Sequence, residues 1–189
     1  MTGNIYRDII ITGSVGESGA LRMAGENRDK IRKRFPGHMI KEIEKKYESN
    51  GEKPPFTSPE DIEDILSKYS TGKDIFTDIL TIEVGEKGLM HALWDLGERL
   101  GTGFRTDARK IPVSPLTVEI CELFGEDPFK TESSGCFLIC TDRGNKLCDV
   151  FGAKGIPAAL IGHSERGRGK IMEMGEITRF IDKPRHNGQ

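Results

Sequence analysis

The chain has 189 residues, 35% of them hydrophobic and 31% charged, with a net charge of −2. That balance gives no electrostatic case for nucleic acid binding, and no apolar run nears the roughly 20 residues of a membrane-spanning helix. The opening, "MTGNIYRDIIITG", lacks the charged-then-apolar layout of a secretory leader, so the expectation is a cytoplasmic protein.

The length suits one domain over residues 1–189. Residues 7–12, "RDIIIT", read as a strand, and the glycine-rich run "GSVGESGALRMAG" follows. A break at Phe35-Pro36-Gly37 precedes Met39, Ile40, Ile43 and Tyr47 at helical spacing. After the loop "SNGEKPPFTS", Ser58-Pro59-Glu60-Asp61 marks a helix start: a capping Ser, Pro at the first helical position and acids in the first turn. Ile62, Ile65, Leu66 and Tyr69 form that helix's apolar stripe. Residues 31–70 thus read as a charged helix–loop–helix covering a sheet.

Residues 75–84 read as a strand, and about 88–100 as an amphipathic helix with Leu89, Ala92, Leu93, Leu96 and Leu100 on one face. "FRTDARKIPV" reads as extended. Ser114-Pro115 starts another helix that Gly125 closes. "CFLICT" is a short buried strand. Asp142 reads as the cap of a helix that Gly155 stops. "IPAALIG" is a strand, "HSERGRG" a loop, "KIMEMGEITRF" one or two strands, and 182–189 a loose tail. Mixed order with glycine-punctuated loops implies an α+β sandwich with a mixed sheet.

Four cysteines, Cys121, Cys136, Cys140 and Cys148, form no C-x-x-C pair, and four histidines are scattered. No metal site is expected. Cys136 and Cys140, at even spacing on one strand, read as buried thiols.

Three stretches resemble, in order and spacing, the C-terminal domain of the AIR synthase superfamily. They are "GLMHALWDLGERLGTGFRTDARKIPV", "ICELFGEDPFKTESSGCFLICT" and "GAKGIPAALIGHSERGRGKIM". "DIIITGSVGESGALRMA" resembles the glycine-rich element that opens that domain, so the likeness covers roughly residues 7–30 and 80–181. The superfamily includes AIR synthase of purine biosynthesis, FGAM synthetase, selenophosphate synthetase, thiamine-monophosphate kinase and HypE-type metalloenzyme maturation proteins. The resemblance implies a three-layer α/β/α sandwich, partly ferredoxin-like. It implies ATP and Mg2+ as cofactors, bound mainly by an N-terminal domain that this sequence does not contain or by a separate subunit. The chain would then be a piece of a longer protein, a split subunit or a stand-alone derivative. A small-molecule substrate and a homodimer complete the expected partners, with no nucleic acid and no membrane.

Four places are candidate sites. The first is Ile82-Glu83-Val84-Gly85-Glu86-Lys87-Gly88-Leu89. The family pattern there resembles His-Asp-Val-Thr-Glu-Gly-Gly-Leu. Glu83 stands for the Asp, and Glu86 and Gly88 match, while Ile82, Gly85 and Lys87 depart from it. A helix N-terminus attracts phosphate, and a lysine there opposes the helix dipole unless an anion sits nearby. The other reading is a plain turn. The second candidate is Gly13, Ser14 and Gly16 with Glu17, Ser18 and Gly19, which is either an amide-lined cleft or close backbone packing. The third is Ser134 and Gly135 in "ESSG", a family-like turn or one that only feeds a strand. The fourth is "GHSERGRGK", with His163, Arg166, Arg168 and Lys170, a phosphate grip or a solvated hairpin. Spacing identifies no nucleophile–base pair.

The resulting expectation is the substrate-side domain of an ATP-dependent enzyme that activates an amide or carboxamide oxygen, or transfers a phosphoryl group. HypE-type proteins end in a reactive cysteine, whereas this chain ends "HNGQ" with its last cysteine at Cys148. The alternative is a non-catalytic anion-binding or assembly module that keeps the fold without the ATP-binding half.

Overall fold

The computed structural model describes residues 6–49, 58–70 and 79–184. Within these residues seven strands form one mixed sheet: β1 (Asp8–Thr12), β2 (Leu80–Gly85), β3 (Gly103–Asp107), β4 (Ser133–Thr141), β5 (Ala158–Glu165), β6 (Lys170–Met174) and β7 (Ile177–Phe180). Their order is β2-β4-β1-β5-β3-β6-β7. Neighbours are antiparallel except β3 and β6, which run parallel. The helices are α1 (Glu17–Glu26), α2 (Arg28–Arg34), α3 (Gly37–Ser49), α4 (Pro59–Ser70), α5 (Gly88–Leu100), α6 (Pro115–Phe124) and α7 (Gly144–Ala153).

Alternation along the central strands sorts the core into layers. Ile9 and Ile11 of β1, Val84 of β2 and Leu138 of β4 share one face with Leu89, Leu93 and Leu96 of α5. Ile10, Phe137 and Ile139 point the other way and meet Ile62 and Ile65 of α4 with Leu147 and Phe151 of α7. The three leucines of α5 are fully buried, and each contributes about 1.5–3 kcal/mol by leaving water. This is the expected three-layer α/β/α sandwich. Cys136 and Cys140 lie together on the α5 face.

A further cluster joins Ala20, Leu21 and Ala24 of α1 to Ile31, Ile43, Leu116 and Ile120. The glycine-rich run therefore folds largely as helix α1, which its glycines disguised. The charged segment is also divided differently from the expectation. Pro36 follows the end of α2, α3 packs on α1, and only α4 covers the sheet.

The cap signals mostly hold. Ser58 Oγ accepts the Asp61 N–H at 3.1 Å, and Asp61 Oδ2 accepts the Ser58 N–H at 3.1 Å. Ser114 Oγ accepts the Thr117 N–H at 3.0 Å. Asp142 is a correction. Arg143 occupies the α7 N-cap and its side chain makes no capping hydrogen bond to the helix. The Gly144 N–H is instead taken by Asp8 Oδ2, at 2.8 Å, from the start of β1. The "HSE" of the supposed loop belongs to β5, since His163 pairs with both Asp8 and Arg105. The extended reading of 104–113 is interrupted by a 3-10 turn at Ala108–Lys110, where Asp107 accepts the Arg109 N–H. Residues 75–78 of the expected β2, the loop at 50–57 and the tail beyond 184 lie outside the described residues.

Candidate functional site

The turn before α5 answers the question its two glycines raise. Gly85 closes β2 opposite Ser133 with φ +59° and open space around it. Gly88 opens α5 with φ +75°, and a Cβ there would lie 2.7 Å from the carbonyl carbon of Lys130. Gly88 thus lets the helix start sit directly on the 127–131 loop, and the Met90 N–H donates to the Phe129 carbonyl at 3.1 Å. Between them, Glu86 and Lys87 are exposed. Lys87 is the N-cap, with no side-chain bond to the helix, so its charge adds to the positive end of the dipole.

An open cleft of about 850 Å³ lies in front of this helix end. Glu86, Lys87, Met90 and His91 line it from α5 and its turn, and Asp127, Phe129 and Lys130 from the adjoining loop. The opposite wall is Met172 and Met174 of β6, Arg179 and Phe180 of β7, then Asp182 to Pro184. His91 Nε2 stands 3.6 Å from Asp95 Oδ2, one helical turn on. Glu83 is not in this cleft. It pairs with Phe137 and shares that residue's side of the sheet, whereas Ile82 and Val84 face α5.

The second and third candidates meet each other. The Gly16 N–H donates to Ser133 Oγ at 2.8 Å, and the Gly19 N–H to the Glu132 carbonyl at 3.1 Å. The Ser134 N–H donates to Ser18 Oγ at 2.9 Å. Ser14 Oγ accepts the Ser114 N–H at 3.2 Å, and the Gly13 N–H goes to the Pro157 carbonyl at 2.9 Å. A Cβ on Gly13 would stand 2.9 Å from Cys136 Sγ, and one on Gly16 2.8 Å from the Pro128 carbonyl oxygen. Gly135, at φ +77°, is the third residue of β4. The loop from Asp127 to Gly135 is therefore a hub, with α1 docked on one side and α5 on the other. On the α1 side the Gly13, Gly16, Gly19 and Ser134 amides have protein partners, and the open space lies on the α5 side.

The fourth candidate is dispersed. Lys170 is buried, bound to Glu98 Oε1 at 2.7 Å and held 4.1 Å from the Trp94 ring centroid. The Lys170 hydrogen bond and charge hold the Glu98 carboxyl below its ordinary range. His163 stacks on Tyr6 at 4.7 Å, while Arg166 and Arg168 are exposed. The cysteines are not poised for reaction. Burial pushes the Cys136 thiol up to about 12 and those of Cys140 and Cys148 to about 11. Among the described residues, no group of three or more His, Cys, Asp or Glu comes together in a way that could hold a metal. The Gly13, Gly16 and Gly19 N–H groups are thus taken up within the protein.

Sequence reasoning missed Lys130, Arg179 and Lys183. They sit in unremarkable local contexts and share a cleft with Lys87 only through the β6–β7 hairpin and the loop before β4.

No protein-family model and no curated protein matches the sequence. Solved structures do match. HypE in a HypE–HypF complex superposes with a TM-score of 0.66 at 16% identity, over 94% of this chain and 53% of that one. HypE in complex with ATP gives 0.66 at 15%, over 95% and 51%. Thiamine monophosphate kinase from Aquifex aeolicus gives 0.54 at 17%, over 90% and 51%. The chain thus spans about half the length of these structures, in keeping with the resemblance to a C-terminal domain alone. At this level of identity the likeness establishes architecture: the chain has the AIR synthase-type fold shared by HypE and thiamine monophosphate kinase.

Proposed function

We propose that this chain is the substrate-side half of an ATP-dependent enzyme of the AIR synthase type, activating a carboxamide oxygen or transferring a phosphoryl group. The observation that carries this reading is the open cleft in front of Lys87, on a fold whose solved examples include a HypE complex with ATP. Lys87 and Lys130 are suited to hold an anionic group at the start of α5, where the helix dipole adds to their charge. Gly88 supports that geometry by letting the helix end approach the loop. Cations fixed before reaction stabilise charge that develops on a transferring group. Glu86 and the His91–Asp95 pair are the groups placed to exchange protons at the same opening.

The nucleotide itself is assigned to an N-terminal domain outside this sequence or to a separate subunit, a reading supported by the engagement of the Gly13, Gly16, Gly19 and Ser134 amides within the protein. A HypE–HypF complex among the similar structures supports a partner protein as part of the working assembly. Nothing in the comparisons favours the alternative of a binding module without turnover.

The test is thermal denaturation of the purified chain. A phosphate-bearing ligand at about 100 times its dissociation constant adds roughly 2.7 kcal/mol to stability. Phosphate compounds are expected to raise the Tm, and Lys87→Ala to abolish most of that rise. ATP with Mg2+ should stabilise the chain no more than the phosphate group alone does. A large ATP-specific shift would place the nucleotide site within this half and overturn the division of labour.

A further inference from the structure

The cleft carries two cations on each wall, with Glu86 and Asp127 beside those of the α5 side and Asp182 beside those of the hairpin, and apolar side chains between the walls. Lys87 and Lys130 stand at the α5 side, Arg179 and Lys183 at the hairpin side. Arg179 pairs with Met172 across β6 and β7, so it emerges on the face that α5 covers, where Met172 joins the core. Elsewhere on this sheet the cations have carboxylate partners: Arg105 with Glu165 and Glu173, and Lys170 with Glu98. Among the described residues the four cleft cations form no ion pair, although Glu86, Asp127 and Asp182 line the same opening. Asp127 is already committed, its Oδ1 accepting the Phe129 N–H at 2.9 Å.

Between the walls lie Met90, Phe129, Met172 and Met174, while Phe180, paired with Ile171, turns its ring to the opposite face of the hairpin. Met174 is 39% exposed, which is costly surface for an edge hairpin unless something rests on it. Thioethers and aromatic rings grip flat apolar bodies adaptably. A volume of about 850 Å³ is far larger than one phosphate needs and falls in the upper part of the range for drug-sized ligands.

We propose that the cleft takes an elongated small molecule with an anionic group at each end and an apolar, ring-bearing middle. One end sits on Lys87 and Lys130, the other on Arg179 and Lys183, and the ring lies over Met90, Phe129 and Met174. This rests on the anion-site reading above and adds a second, separate anion position to it.

The experiment is calorimetric titration of the whole chain with three probes: phenyl phosphate, 4-carboxyphenyl phosphate and the longer 4′-carboxybiphenyl-4-yl phosphate. At least one two-ended probe should bind about tenfold tighter than phenyl phosphate, as expected for one added charge-assisted contact. The double variant Arg179→Ala/Lys183→Ala should erase that advantage while leaving phenyl phosphate affinity within about twofold. Lys87→Ala/Lys130→Ala should weaken all three. Raising the salt concentration should narrow the gap between one-ended and two-ended probes. If phenyl phosphate binds but neither two-ended probe gains, or if the gain survives loss of Arg179 and Lys183, the second anion position is refuted and the first stands. If no probe binds, both are refuted.

Discussion

Gly85 and Gly88 look interchangeable in the sequence, and the structure separates them. Both hold positive φ, but only Gly88 has backbone within contact of a new Cβ. Gly85→Ala should cost about 1–2 kcal/mol, the usual penalty of left-handed backbone for an L-residue. Gly88→Ala should cost clearly more, since Lys130 must also move away. Urea denaturation of the two variants checks this, and equal losses would deny the close docking of α5 on the loop. The cysteines provide a second residue-scale test. Their thiols are raised by burial to about 11–12 from an ordinary 9.0. A group whose folded pKa is raised stabilises the fold fully below its unfolded pKa and loses that contribution as pH climbs toward the folded one. The urea midpoint should therefore fall between pH 9 and 11, less steeply in Cys140→Ala. At pH 8 in the folded protein, Cys136 and Cys140 should resist alkylation.

Helix boundaries were legible where the signal was local. Ser58 and Ser114 cap as their own neighbours imply, because a hydroxyl reaches only two or three residues ahead. Asp142 failed as a reading because the actual acceptor, Asp8, is distant in sequence and arrives only when β1 takes its place in the sheet. Asp8→Ala should cost about 1 kcal/mol, and Asp142→Ala should stay within about 0.5 kcal/mol, both by chemical denaturation. Helix α1 was obscured because Gly16, Gly19 and Gly25 suggest loop. Two of these let the chain approach other backbone, with a Cβ on Gly16 meeting Pro128 and one on Gly19 meeting Glu132. The short, unbroken apolar runs of β1 and β4 were plain in sequence, as was the stripe of α5, so the layered architecture could be read early.

At the scale of the molecule, half of the cleft could be foreseen. The α5 turn announces itself with glycines and a lysine at a helix start. The opposite wall does not, because "TRF" and "DK" gain meaning only when β6 and β7 fold back beside α5. The loop from Asp127 to Gly135 is the structural centre of this end, accepting donors from both α1 and α5 and so fixing their ends relative to one another. Thr131→Gly would loosen that loop by raising its backbone entropy. It should lower the Tm and weaken phosphate binding together, whereas Arg179→Ala should leave the Tm nearly unchanged.

The most direct measurement is two-dimensional amide NMR of the chain titrated with inorganic phosphate. The account predicts saturable shifts concentrated at Glu86 to His91 and at Phe129 to Lys130, absent in Lys87→Ala. Shifts confined to Gly13–Gly19 and Ser133–Gly135, or no saturable shift at any amide, would contradict it.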